Sequence, residues 1–289
     1  MTSDSIPVRR RLVGALLRHH REAAGYTLED AASAILCDKS KVCRIETGQR
    51  GVRPGELREL LSEYGVAEPE QRAITSIAQY VRKGWWDEYR DVLADDLLDL
   101  VMVEPLAAEI LIYDPQIVPA FFQTRGYALA AAAGNPELSA DTEREQAVRM
   151  ASARQGILLQ DQAPGLTAVI GEAAFVHQVG SDEVMYEQLR LLSDVTGNFP
   201  SVTLQVLPFA AGAHPGSSIG PVSILRLCDA PGIGVIHQAG IAGSASLAMD
   251  SALASALRRF EMLRATALTP EESRQFITQI AASRTRQSS

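Results

Sequence analysis

The strongest constraint on this chain lies between Val13 and Gly65, where four short apolar stripes are each closed by helix punctuation. Val13, Leu16, Leu17 and Ala24 share one face of a first helix over 13–24, and Gly25 follows where a left-handed residue is favoured. Thr27-Leu28-Glu29-Asp30 has the form of a capping box. Leu28, Ala31, Ala32 and Ile35 then recur at helical spacing. A tight turn at Leu36-Cys37 delivers Asp38 as the N-cap of a third helix, which buries Val42 and Ile45, turns Lys39, Ser40 and Arg44 elsewhere and ends at Gly48. Pro54 opens a fourth helix, which buries Leu57, Leu60, Leu61 and Tyr64 and stops at Gly65.

A helix, a short turn and a second short helix with a polar, basic start is the layout of a helix-turn-helix. The major groove admits one such helix, and side chains near its N-terminus reach base edges. Lys39 and Arg44 suit guanine acceptors, and Ser40 is an adaptable partner. Thr27, Lys41, Arg50 and Arg53 suit the phosphate backbone, together with the amides that open the second and third helices. Charge supports the reading. The net formal charge is −8, yet residues 39–53 hold five basic residues against one acidic. Residues 1–65 carry a net +2 and the remainder a net −10. A basic patch on an acidic protein attracts an anionic polymer while the rest repels nonspecific contact.

The stretch LLRHHREAAGYTLEDAASAILCDKSKVCRIETGQR resembles the Cro/phage-repressor (Xre) class of helix-turn-helix domains. That resemblance implies an ion pair between Arg21 on the first helix and Glu46 at the end of the third. Leu28 departs from the pattern, which often has glutamine there for a phosphate contact.

Residues 67–95 read as a helical connector and 96–289 as a larger domain, with 1–66 as the DNA-binding unit. Within the connector, 70–83 reads as a helix, and Trp85-Trp86 reads as a buried packing anchor between the domains. Helical patterns cover 97–108, with a kink at Pro105, then 141–162, 181–197, 250–266 and 269–282, and the Ala128–Ala133 run suits a helix. Strand-like runs occupy 166–170, 202–207, 222–227 and 235–237. The expected fold is a mainly α N-terminal helix-turn-helix domain followed by an α+β domain with a small mixed or antiparallel sheet.

VPAFFQTRGYALA, VRMASARQGIL, VIGEAAFVHQVGSDEVMYEQL and VTLQVLPFAAGAH resemble successive blocks of a C-terminal domain of actinobacterial regulators, the WhiJ-like, antitoxin-like group. In that group the domain follows an Xre-type helix-turn-helix. The resemblance implies a transcriptional regulator working with a small partner protein encoded nearby. Ala120-Phe121-Phe122 departs from the Gly-Leu-Leu of the pattern. Gln123, Arg154, Gln155, Glu172 and His214 sit in these blocks as candidates for a pocket or partner groove, with structural hydrogen bonding as their plainer use.

Other chemistries find little footing. Gly216-Ser217-Ser218-Ile219-Gly220 satisfies G-x-S-x-G, with His214, Asp229 and His237 nearby in sequence, but Pro221 and a strand-like run follow where a nucleophile elbow needs a helix. Cys37, Cys43 and Cys228 form no CxxC and read as reduced thiols. His177 has no ligand partner at useful spacing, and His19 and His20 read as surface or DNA-proximal. No P-loop, dinucleotide fingerprint or metal-ligand cluster is present. No cofactor is expected, and no enzymatic activity. No uncharged apolar run approaches the ~18 residues of a membrane span, and the first residues lack a signal-peptide core. The sequence therefore reads as a cytoplasmic, nucleoid-associated regulator, a homodimer on a pseudo-palindromic duplex operator. A module that sequesters a protein partner and a small-molecule sensor are the alternatives.

Overall fold

The structure is a computed structural model that describes residues 8–79, 85–89, 95–136, 138–160, 163–227, 233–238 and 244–287. Five helices open the chain: α1 (Val8–Ala23), α2 (Leu28–Ala34), α3 (Lys39–Glu46), α4 (Pro54–Glu63) and α5 (Glu68–Gln79). The expected caps are in place. Thr27 and Asp38 cap α2 and α3, and Gly25, Gly48 and Gly65 all take positive φ just beyond a helix. The apolar stripes meet in one core, with Leu16, Leu17, Ala31, Val42, Ile45, Leu57 and Leu61 all buried. Two boundaries differ from the sequence reading. α1 begins at Val8, not Val13, because the arginine run is good helix-forming sequence and Leu12 joins the core. α5 packs on α1 and α4, burying Ile74 and Ile77, so the first half of the expected connector extends the helical domain.

The remaining described chain adds α6 (Asp95–Val103), β1 (Ala107–Asp114), α7 (Arg125–Ala133), α8 (Asp141–Gln155), β2 (Gly165–Gly171), α9 (Ala173–Val176) and α10 (Asp182–Asn198). It ends with β3 (Val202–Leu207), β4 (Val222–Leu227), β5 (Ile233–Gln238), β6 (Ser244–Met249), α11 (Asp250–Thr266) and α12 (Pro270–Gln287). The strands form one mixed six-stranded sheet in the order β3-β2-β1-β4-β5-β6. β1, β2 and β3 are parallel, and β4, β5 and β6 run as an antiparallel meander from the other side of β1. This is the expected α+β domain with a mixed sheet.

Helices cover both faces of the sheet. Ile110 and Ile112 of β1 face a core shared with Leu189 of α10 and Ile277 of α12. Leu111 and Tyr113, alternating with them, face Leu253, Phe260 and Leu263 of α11. Two expectations are corrected here, and β1 and β6 are strands beyond those expected. The helix expected over 97–108 ends at Val103, and Glu104-Pro105-Leu106 form a 3₁₀ turn leading directly into β1. Proline has no N–H for the helix ladder, so the chain leaves the helix there. β6 was not expected from its small-residue sequence. The helix expected over 141–162 stops at Gln155, where Gly156 starts a 3₁₀ turn to Leu159. Its last two residues lie outside the described residues, as do Cys228 and Asp229.

Candidate nucleic-acid interface

The α2–turn–α3 unit is held from behind by α1. At Gly14 any Cβ would run into the carbonyl oxygens of Ile45 and Glu46, so glycine lets α1 lie directly on the end of α3. Arg21 then pins the same contact. Its Nε donates to Glu46 Oε1 at 2.7 Å and its Nη2 to Glu46 Oε2 at 2.9 Å, while Nη1 donates to the Tyr26 carbonyl at 2.8 Å. Both side chains are buried, and the bond to Glu46 is the main reason the guanidinium pKa is raised. One side chain thus fixes α1, the turn before α2 and the end of α3.

The outer face of α3 carries Lys39, Ser40, Cys43 and Arg44, all exposed. Arg44 Nε donates to the Ser40 carbonyl at 3.2 Å, and Arg44 makes no other side-chain bond among the described residues. Lys39 Nζ meets Glu29 Oε1 of α2 at 2.6 Å in an exposed ion pair, so it is anchored but accessible. The bond to Lys39 is the leading cause holding the Glu29 carboxyl below its ordinary range. Arg50 and Arg53 are exposed in the segment between α3 and α4.

Two expected phosphate contacts are corrected. Lys41 points inward and pairs with Glu56 of α4 at 2.6 Å, with both side chains largely covered. It is a strut between α3 and α4. The Thr27 hydroxyl accepts from the Asp30 amide at 3.2 Å and donates to the Asp30 carboxylate at 2.7 Å, so it is spent as a cap. The amide of Lys41 is likewise taken, by the Asp38 carboxylate at 2.9 Å. His20 is also not a surface group. It is half-buried against Glu70 of α5, with Nε2 and Oε1 3.3 Å apart.

The five polar residues of the C-terminal blocks make hydrogen bonds within the fold and do not share one cavity: Arg154 borders one beside Phe121 and His237, and Gln155 another beside Phe121 and Leu158. Gln123 Nε2 donates to the Val118 carbonyl at 2.7 Å. Gln155 Nε2 donates to the carbonyls of Ala120 and Gln123 at 2.9 and 2.8 Å. Gln188, missed by the sequence reading, completes the clamp: it donates to the Phe122 carbonyl and accepts from the Thr124 amide, both at 2.7 Å. The VPAFFQT segment is therefore a loop whose backbone is satisfied by three buried or half-buried glutamines. Arg154 forms a buried two-pronged pair with Glu104, and its guanidinium lies 4.8 Å above the Phe121 ring. The Phe121 departure thus supplies the aromatic face on which Arg154 rests. Glu172 accepts from the Phe209 amide at 2.7 Å, and His214 Nδ1 accepts from the Gly216 amide at 3.1 Å.

Ser218 is exposed in the loop that leads into β4, without the helix an elbow requires. Trp86 is buried against Val101 and Met102 of α6, and so anchors the connector to the larger domain. Cys37 and Cys43 are free thiols. Among the described residues no cluster of three metal-ligating side chains occurs, and no helix is long and apolar enough to cross a membrane.

Two family models match the chain. A helix-turn-helix domain model covers residues 12–74, and a model described as a domain of unknown function (DUF5753) covers residues 97–279. The first match extends through most of α5, in keeping with the packing of that helix. No curated protein and no solved structure matches.

Proposed function

The chain belongs to the DUF5753 family and carries a helix-turn-helix domain ahead of that region, and on this premise we propose that it is a sequence-specific, DNA-binding transcriptional regulator of the Xre class. The observation that carries the reading is the outer face of α3. Lys39, Ser40 and Arg44 project from a short helix whose other side is locked to α1 by Arg21 and Glu46. A rigidly backed helix with exposed donors near its N-terminus suits direct readout of base edges. Arg50 and Arg53 are the exposed cations left for phosphate once Lys41 is removed from the set.

One such unit spans few base pairs, so the active species in this reading is a homodimer on a pseudo-palindromic operator. Its half-sites lie about 34 Å apart or a multiple of that. Control comes through the acidic C-terminal domain from a small partner protein. The likeness of its blocks to the antitoxin-like regulators supports that assignment. The chain acts by binding and not by catalysis, in the cytoplasm, where its operator is.

Selection of genomic fragments by the purified protein at physiological salt tests the reading, with a Lys39→Ala/Arg44→Ala variant alongside. A recurrent two-fold-symmetric sequence, lost in the variant, is the expected result. Enrichment that is equal for both proteins, or that disappears as salt approaches physiological strength, refutes direct readout by α3, since phosphate contacts alone are steeply salt-dependent.

A further inference from the structure

A cleft of about 340 Å³, open to solvent at Ala252, Ser255 and Arg259, lies between the sheet and α11 beside the smaller of the two cores that flank β1. Its floor is Val222 and Ile224 of β4 and Ile236 of β5. Its roof is one face of α11, where Ala252, Ser255 and Ala256 stand in place of the bulky side chains that would close the gap. Phe260 and Leu263 continue that face and are buried. The volume falls within the range of small-molecule sites, with room for roughly a dozen non-hydrogen atoms.

Four polar side chains line it, Tyr113, Gln238, Ser255 and Arg259, and the first and last point to the kind of occupant. Tyr113 is only 2% exposed, yet its hydroxyl has no hydrogen-bond partner among the described residues. The hydroxyl opens onto the cleft, where it can donate to water or to an acceptor on a ligand. Burial, first, and the neighbouring Asp114 raise its pKa, so the hydroxyl keeps its proton. Arg259 is exposed on the α11 side of the cavity and has no ionic partner among the described residues. Of the nearby charges on the same helix, Glu261 is engaged by Arg264 at 3.0 Å. A mainly apolar chamber with a phenol donor on its wall and, among the described residues, an unpaired cation at its edge is complementary to an amphipathic anion.

We propose that this cavity is a binding site for a small amphipathic carboxylic acid. Its apolar body lies between α11 and the sheet, its carboxylate meets Arg259, and an oxygen atom accepts from Tyr113. Occupancy would replace empty space with contacts on both walls and stiffen the packing of α11 on β4 and β5.

Titration calorimetry of the full chain with decanoate, below its micelle concentration, tests this, with decanol and decyltrimethylammonium as neutral and cationic controls. No DNA is present, so the outcome is independent of whether α3 reads an operator. Saturable one-site binding of decanoate is expected, weaker binding of decanol, and none of the cation. Arg259→Gln, at an exposed position, should weaken decanoate about 10–100-fold, as expected for loss of a hydrogen bond to a charged group, and leave decanol unchanged. Ala256→Leu, which fills the chamber, should abolish both. No binding of decanoate by the unaltered protein, equal binding of acid and cation, or decanoate affinity unchanged in Arg259→Gln would each overturn the proposal. Should Ala256→Leu fail to fold by circular dichroism, Arg259→Gln alone decides it.

Discussion

Arg21 and Glu46 join α1 to the end of α3 through two parallel hydrogen bonds of 2.7 and 2.9 Å in a buried setting. Removing one partner leaves the other charge buried without compensation. Arg21→Met or Glu46→Leu should each cost about 3–5 kcal/mol in urea unfolding. The double variant should cost much less than the two singles together, because neither charge is then stranded. Strict additivity would show that the pair is not coupled.

Leu36 adopts φ of +49° in the turn between α2 and α3 and is 94% exposed. A leucine there bears the cost of the left-handed region, about 1–2 kcal/mol, and gains no burial in return. Glycine removes that cost but gives back part of it through the entropy of the unfolded chain. Leu36→Gly is therefore expected to stabilise the protein by about 0.5–1 kcal/mol, read as a higher melting temperature. A lower one would mean that the exposed side chain has a stabilising contact in solution.

His20 links the helix-turn-helix to α5. Its pKa is lowered mainly by burial, against the opposing pull of Glu70, with His19 adding to the lowering. A histidine depressed in the folded state contributes stability that is complete above its unfolded value near 6.5 and is lost as pH falls through the folded value. Urea midpoints should therefore drop between about pH 7.5 and about pH 5.5. His20→Gln should flatten that part of the profile, since the amide cannot titrate. An identical slope in the variant would assign the loss to other groups.

What the sequence disclosed follows from which interactions are local. Caps, terminal glycines and helical stripes act within a few residues, and so Thr27, Asp38, Gly25, Gly48 and Gly65 placed α2, α3 and α4 correctly. α11 likewise spans the expected 250–266. β1 was missed because a central strand buried on both faces shows a continuous apolar run, Ile110-Leu111-Ile112-Tyr113, with no alternation to mark it. The site was harder for the same reason. Helical spacing placed Lys39 and Arg44 on the outer face of α3, but it did not show that Lys41 turns inward, because the partners that engage these cations come from other helices. Glu29 and Lys39 are ten residues apart and Lys41 and Glu56 fifteen, separations to which no spacing rule applies. Gln188 reaches the VPAFFQT loop across more than sixty residues.

Those two ion pairs divide the basic patch into a part free to meet DNA and a part that is not. The Lys39–Glu29 pair is exposed, with side chains 59% and 61% accessible, whereas in Lys41–Glu56 the values are 15% and 14%. An exposed pair is worth little and exchanges readily with another anion, while a covered one does not. Glu29→Gln should therefore release Lys39, tighten operator binding and steepen its salt dependence by up to about one unit of slope. Lys41→Met should leave the slope unchanged and instead lower stability by about 1–3 kcal/mol, because Glu56 loses its charge-assisted hydrogen bond. Fluorescence anisotropy across a salt series, paired with urea unfolding, separates the two. A salt slope reduced by about one in Lys41→Met would return that residue to the phosphate-binding set.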